Sequence, residues 1–402
     1  MSKVAVMGYG TIGSGVVEVL ASNSGVIAER TGEAVEIKYV LDLRDFPGSP
    51  VENLLIKDYK KIVDDPEIEI VVETMGGVNP AYMFVKECLE NGKSVCTSNK
   101  ELVASHGAEL IAIAKDKNVN FLFEASVGGG IPIIRPINQS LTAEVIEEIT
   151  GILNGTTNFI LTKMRDAGAD FEDVLKEAQE LGYAERNPEA DVEGYDACRK
   201  IAILTSLAYG KQVDYNDIYT EGITKITAAD FKYAKKMNST IKLVGRSKME
   251  DGKVSAMVSP VLVKQGHPLY TVDDVFNGIF VKGNMLGDSM FYGKGAGKLP
   301  TASAVVADVI EAARNKGSNI KVLWDSEKLA LQDYKDVKNK FFVRVKETPS
   351  IVDEVNANFG QIVPLDIGIE GECAFLTDSI TEREFESKIA NVPELITRIR
   401  VM

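Results

Sequence analysis

The chain has 402 residues, enough for two or three domains at roughly 150 residues each. Its 45% apolar and 26% charged content is that of a globular protein and excludes disordered and collagen-like classes. Forty-five Lys and Arg against 59 Asp and Glu leave a net charge of −14, and without a basic run this argues against nucleic acid and anionic lipid as partners.

No apolar stretch approaches the roughly 20 residues that a membrane span needs. Met1 to Gly8 runs directly into a strand-like segment, so no signal peptide is expected. Cys88, Cys96, Cys198 and Cys373 are scattered, with neither zinc-type spacing nor the density of a disulfide scaffold. The expectation is a cytoplasmic protein with reduced thiols. Only two histidines occur, His106 and His267, both read as structural. Acid–base chemistry in such a chain falls to lysine and carboxylates.

The first 125 residues alternate short apolar runs with helix-length amphipathic segments. Strands are expected at Val4–Met7, Glu36–Leu41, Ile68–Val72, Ser94–Cys96 and Asn120–Phe123. Helices are expected over Gly13–Arg30, Pro80–Glu90 and Glu101–Lys115. Strands separated by helices imply right-handed crossovers, hence a Rossmann-type doubly wound parallel sheet. After Gly128-Gly129-Gly130 the pattern becomes a mixed α+β segment, residues 131–299, with a long helix from Ala302 to Asn315 assigned back to the first domain. Residues 338–402 read β-α-β-β-α-β, including a strand over Ile362–Glu370, the order of a ferredoxin-like module. The expected division is therefore 1–130 with about 300–325, then 131–299, then 338–402.

Gly8-Tyr9-Gly10-Thr11-Ile12-Gly13 follows a strand and opens a helix. Gly8 permits the tight turn, Gly10 lets backbone approach a pyrophosphate, and Gly13 lets helix and strand pack closely. Anionic phosphates then sit on free helix N–H groups. At the end of the second strand, Asp42 offers an acceptor for the ribose 2′-hydroxyl of NAD, and Arg44 a partner for the 2′-phosphate of NADP. Both readings stay open. Thr97-Ser98-Asn99-Lys100-Glu101 stands just after a strand, at the carboxyl edge where doubly wound folds bind ligands. Between Gly182 and Lys200 a turn at Asn187-Pro188 gathers Glu185, Asp191, Asp196 and Lys200. Asp196 and Lys200, four apart, share a helix face.

The run Ala178-x-x-x-Gly182-Tyr183-Ala184 with Asn187-Pro188-x-x-Asp191-Val192-x-Gly194-x-Asp196-x-x-x-Lys200 resembles the signature of the homoserine dehydrogenase family. Ser98-Asn99-Lys100, Glu124 to Pro132, Asn154-Gly155-Thr156-Thr157-Asn158, and Gly293 to Gly297 followed by Pro300-Thr301-Ala302 resemble that family too, in the same order. The resemblance covers residues 1 to about 325. It implies NAD- or NADP-dependent interconversion of L-homoserine and L-aspartate 4-semialdehyde. It gives Lys200 the acid/base role, Lys100 a second place near substrate and cofactor, Asp191 an orienting role, and Glu185 and Asp196 contacts to substrate. Thr11, Ile12, Thr74, Gly182, Gly295 and Gly297 join the cofactor contacts. Glu124, Val127, Gly129 and Ile131 match positions that hold a monovalent cation, typically sodium, mainly through backbone carbonyls.

An ordinary lysine, with a pKa of about 10.4, donates a proton at neutral pH; acting as base needs a lowered value, which a second lysine nearby would supply. The C-terminal module resembles an ACT domain, so an amino-acid effector such as threonine is implied, and the family resemblance implies a homodimer or homotetramer. Its expected Asp-x-Pro-Gly turn reads Glu347-Thr348-Pro349-Ser350, with serine in the glycine's place. Two competing readings are a non-catalytic nucleotide-binding metabolite sensor and a Rossmann oxidoreductase for another amino-acid semialdehyde.

Overall fold

The computed structural model describes residues 1–392 and 394–402. The chain divides into two compact units: Met1–Val145 with Ala202–Tyr215 and Phe291–Leu329, and Ile146–Ile201 with Asn216–Met290 and Ala330–Met402.

The first unit is built on six strands: β1 (Ser2–Met7), β2 (Val35–Leu41), β3 (Leu55–Ile56), β4 (Ile68–Glu73), β5 (Ser94–Thr97) and β6 (Phe121–Leu122). They pair in parallel in the order β3-β2-β1-β4-β5-β6. Strand order reverses between β1 and β4, which leaves a crevice at their carboxyl ends. Val4, Val6, Ile70, Val72 and Cys96 on one face pack under Val16, Val17 and Leu20 of the helix Thr11–Ser22. Ala302, Val305, Val306 and Val309 of the helix Lys298–Arg314 complete the same cluster. The two helices approach closely because Gly15 carries no side chain; a Cβ there would lie 2.9 Å from that of Ala302. Alternate residues Ala5, Val71 and Val95 are fully buried as well, as a sheet covered on both faces requires.

Two expectations change here. The two-residue β3 is too short to leave a periodic signal. The single helix expected over residues 13–30 is two, Thr11–Ser22 and Ser24–Thr31, bent by 79°. Asn23 ends the first with its N–H on Val19, and Ser24-Gly25 opens the second. Among the described residues, no single helix is long and apolar enough to cross a membrane.

In the second unit, Phe276–Gly283, Ile146–Ile152, Ser239–Glu250 and Lys253–Lys264 form consecutive antiparallel neighbours. Ser239–Glu250 escapes the sequence pattern because a lysine occupies an inward position. Lys242 is 1% exposed and donates to Asp273 Oδ1 at 2.8 Å and Asn158 Oδ1 at 3.1 Å. Its ammonium satisfies itself on acceptors that no local periodicity reveals.

The same sheet continues through Leu395–Val401, Lys338–Lys346 and Glu372–Leu376. With helices Ile351–Phe359 and Glu382–Ile389 these strands enclose an apolar cluster that includes Phe341, Val345, Val355, Phe375 and Phe385. The order Leu395–Val401, Lys338–Lys346, Glu372–Leu376 is that of a ferredoxin-like sheet. The strand expected over Ile362–Glu370 does not form. Pro364 has no N–H to donate, and the segment's bond to its neighbour is Leu365 N to Ala374 O at 2.7 Å. Ser350 takes φ −108°, an ordinary value for a side-chain-bearing residue, so the backbone there does not require glycine.

Candidate active site

The glycine turn after β1 has the geometry its spacing predicts. Gly8 sits at φ +92°, and a Cβ on Gly13 would come within 1.9 Å of the Gly8 carbonyl oxygen. Gly10, by contrast, faces open space, with nothing within 4 Å of where a Cβ would stand. Gly10 caps the helix Thr11–Ser22 without a side chain, and no acidic residue occupies its first turn. The N–H groups of Thr11, Ile12 and Gly13 at that terminus therefore suit an anion. Thr74, just past β4, donates from Oγ1 to Gly8 O at 3.0 Å and locks the turn from the other side. Gly8, Gly10, Asp42, Arg44, Tyr59 and Thr74 line a cleft of 680 Å³, within the size range of cofactor pockets.

Asp42 lines that cleft. Its Oδ2 accepts from Tyr9 N at 2.8 Å and Arg44 Nη2 at 2.9 Å; Oδ1 accepts from Arg44 N at 2.9 Å and Arg44 Nε at 3.0 Å. The Arg44 guanidinium beside it, more than any other influence, holds the Asp42 carboxyl well below the usual range. Arg44 lies 5.1 Å above the Phe46 ring with its side chain largely exposed. The two residues that sequence reading set against each other are thus one ion pair.

Sequence reasoning missed Glu73. Fully buried at the end of β4, it accepts from Thr97 Oγ1 at 2.6 Å and Met75 N at 2.7 Å. Burial pushes its carboxyl up. Thr97 Oγ1 in turn accepts from Asn99 N, whose side chain caps the helix Lys100–Asp116 through Leu102 N at 3.1 Å and donates to Gly77 O at 2.6 Å. Lys100 is the first residue of that helix, so its placement is set by a network rooted in a buried carboxylate. The signal was present as an acid ending the apolar run Ile70-Val71-Val72.

The glycine-rich segments 128–130 and 293–297 pack backbone to backbone. Gly129, at φ +57°, would drive a Cβ to 2.2 Å from Gly295 O, and Gly130 N donates to Lys294 O at 3.1 Å. Gly297, at φ +116°, caps the helix Lys298–Arg314. The Glu124 carboxylate is buried and accepts from Ile133 N at 2.6 Å, Ile134 N at 2.8 Å and Arg135 N at 2.8 Å. It caps a helical turn and is already fully engaged. Among the described residues, the carbonyl oxygens of Val127, Gly129 and Ile131 accept no hydrogen bond, so hard oxygen donors remain there for a cation. No cluster of three or more His, Cys, Asp or Glu suited to a metal occurs among the described residues.

In the second unit, a compact polar cluster forms between two helix starts. Asn154 caps the helix Gly155–Ala167, its Oδ1 accepting from Thr157 N at 2.8 Å. The amide nitrogen left over donates to Asp191 Oδ1 at 2.7 Å and Asp196 Oδ2 at 2.9 Å. Lys200, one turn along the helix Tyr195–Tyr209, donates to Asp196 Oδ2 at 2.8 Å and Leu153 O at 2.8 Å. Asp196 and Lys200 are 4% and 8% exposed, which contradicts a solvated surface bridge. A buried ionic cluster held by so many specific bonds is a candidate for chemistry.

Glu185 stands exposed and outside this hydrogen-bonded cluster; its backbone carbonyl accepts from Gln179. Gly182, at φ +75°, is exposed with open space around it. Asn154 as the hub was not foreseen. An Asn before Gly-Thr-Thr reads only as a helix cap, and its second role needs the partners that folding brings.

Residues 8–124 match the NAD-binding domain of homoserine dehydrogenase, and residues 132–310 match the homoserine dehydrogenase family itself. The homoserine dehydrogenase of Bacillus subtilis is 36% identical across 98% of this chain and 95% of its own length. That of a Synechocystis species is 46% identical across 77% of this chain and 72% of its own. Among solved structures, a homoserine dehydrogenase from Thiobacillus denitrificans superposes with a TM-score of 0.92 at 35% identity, covering 100% of this chain and 98% of that one. A hyperthermophilic archaeal homoserine dehydrogenase in complex with NADPH has a TM-score of 0.66 at 28% identity, covering 77% and 97%.

Proposed function

The chain belongs to the homoserine dehydrogenase family, NAD(P)-dependent oxidoreductases that interconvert L-homoserine and L-aspartate 4-semialdehyde, and on that footing we propose how its residues divide the work. The cofactor, when bound, exchanges a hydride with the substrate carbon. The protein's task is to bind, orient and move one proton at the substrate oxygen. Lys200 carries that proton. The observation behind this reading is the buried cluster of Asn154, Asp191, Asp196 and Lys200, in which every member has a fixed partner. Asp196 holds the ammonium in one orientation, and Asn154 holds both carboxylates. Asp191 orients the substrate, and Asp196 and Glu185 contact its amino-acid end or hydroxyl, Glu185 from an exposed segment. Lys100 acts as a second lysine, anchored by the Glu73–Thr97–Asn99 network.

The pyrophosphate is read on Gly8, Gly10, Thr11, Ile12 and Gly13, with Thr74 bracing the turn. The Asp42–Arg44 pair selects between NAD and NADP, and Gly182, Gly295 and Gly297 supply further backbone approach. A monovalent cation such as sodium would be held by the carbonyls of Glu124, Val127, Gly129 and Ile131. The donor set fits, since the last three accept no bond from described residues and the Glu124 side chain is committed elsewhere. The protein works in the cytoplasm as a homodimer or homotetramer, with residues 338–402 as an ACT-like module for an amino acid such as threonine.

The test is homoserine-dependent reduction of NAD+ and of NADP+ at alkaline pH, with and without threonine and sodium. Cofactor binding without turnover on any of these would sink the proposal and leave a nucleotide-binding sensor.

A further inference from the structure

A small cavity lies at the seam where the C-terminal strand Leu395–Val401 joins Lys253–Lys264. Its volume is 60 Å³, several times the roughly 10–15 Å³ that one water requires. Val261 pairs directly with Arg400, so the two share a face of the sheet, and both line the cavity.

Two buried donors border it without an acceptor. Arg400 is 2% exposed, and its Nη2 has no hydrogen-bond partner among the described residues; Asn339 Nδ2 is likewise buried and unpartnered. Arg400 is not loose. Its Nε donates to Glu382 Oε1 at 2.6 Å and its Nη1 to Glu221 Oε2 at 2.9 Å, which fixes the guanidinium plane and leaves one edge over. Glu221 and Glu382 lie outside the cavity wall. The wall itself carries Arg246, Lys248, Lys338 and Arg400; Arg246 pairs with Glu148, Lys248 with Glu250 and Arg400 with Glu221 and Glu382, so the unmet donors are Arg400 Nη2 and Asn339 Nδ2. Burying donors without partners is costly, and two such donors from neighbouring strands lining one cavity call for an acceptor.

We propose that this cavity binds a small oxyanion, a carboxylate or phosphate group, through Arg400 Nη2 and Asn339 Nδ2. The proposal is independent of the dehydrogenase site. It has a structural consequence. The strands Lys253–Lys264 and Leu395–Val401 are paired only at Val261 with Arg400 and Leu262 with Val401. A ligand gripping Arg400 and Asn339 beside that short register tightens the seam.

The experiment titrates the full chain with acetate and, separately, with inorganic phosphate, holding ionic strength constant with chloride. Thermal midpoint and amide exchange of residues 395–402 are the readouts. A saturable rise in both is expected, and the stronger of the two anions tells carboxylate from phosphate. Asn339→Asp, which puts an acceptor and a negative charge where the donor stood, weakens binding by about tenfold or more. Arg400→Lys keeps the positive charge between Glu221 and Glu382 but removes Nη2, and has the same effect. Wild-type protein that shows no saturation, or a response unchanged in both variants, overturns the proposal and leaves the cavity to water.

Discussion

Lys200 donates to Asp196 Oδ2 at 2.8 Å across one turn of their shared helix, and both side chains are buried. An exposed pair at this spacing is worth a few tenths of a kcal/mol and does little else. Here burial removes the competing water and leaves one orientation for the ammonium. In the proposed mechanism this places the proton donor before substrate arrives.

Replacing Lys200 by Ala removes the group proposed to move the proton. kcat falls by about 10²–10⁴-fold, the usual contribution of general acid–base catalysis. The dissociation constant for the cofactor, measured by fluorescence titration, stays within twofold on the order of experimental error. Near-normal turnover in this variant removes Lys200 from the mechanism.

In the proposed reading, the Asp42–Arg44 pair makes cofactor choice a matter of which partner is freed. Arg44→Ala releases Asp42 for a 2′-hydroxyl and deprives a 2′-phosphate of its cation, so kcat/KM shifts toward NAD by about tenfold. Asp42→Asn removes the negative charge facing a 2′-phosphate and shifts the ratio the other way. Kinetics with both cofactors on both variants check the sign; equal ratios in all three proteins exclude the pair as the selector.

Stability of the second unit leans on a buried triad. Arg344, 5% exposed, donates to Asp230 Oδ1 at 2.7 Å and to Glu372, while Asp230 is fully buried. Arg344→Met leaves Asp230 and Glu372 without their counter-ion and costs about 3–5 kcal/mol. Denaturant titration of wild type and variant measures this. The double replacement with Asp230→Leu recovers part of the loss, because it removes the stranded charge.

Acid sensitivity has a local contributor at Glu33. Hydrogen bonding to Lys316, and more weakly to the Met1 amino group and Ser2, lowers its pKa from 4.5 to about 2. A carboxyl depressed in the folded state stabilises above its unfolded pKa. That contribution is lost as pH falls from about 4.5 through about 2. Glu33→Gln is accordingly less stable than wild type at pH 7 by a modest amount, since the pair is partly solvated. The difference closes across that window; a gap that persists below pH 2 assigns the effect to packing.

Much of this molecule was legible without coordinates, and for a uniform reason. Alternation of Val4–Met7, Ile68–Val72 and Ser94–Cys96 with amphipathic helices is a local signal, and so is the steric demand of Gly8, Gly10 and Gly13. Each is written in a few consecutive residues, so the parallel sheet and its glycine turn followed directly. The shortage of histidine likewise turned attention to lysine and carboxylates, and the fold buries Lys200 with Asp196 as a hydrogen-bonded pair. Tertiary structure alone decided what depends on partners distant in the chain. It made Asn154 the hub for Asp191 and Asp196, about 40 residues away. It let Lys242 sit inside a strand because Asp273 meets it there, and turned Asp42 and Arg44 from alternatives into a pair. It also ran the C-terminal strand into the sheet of the second unit through two residue pairs. Burial decides whether a charge is solvent-facing or poised, and burial belongs to the packed molecule, not to any window of its sequence.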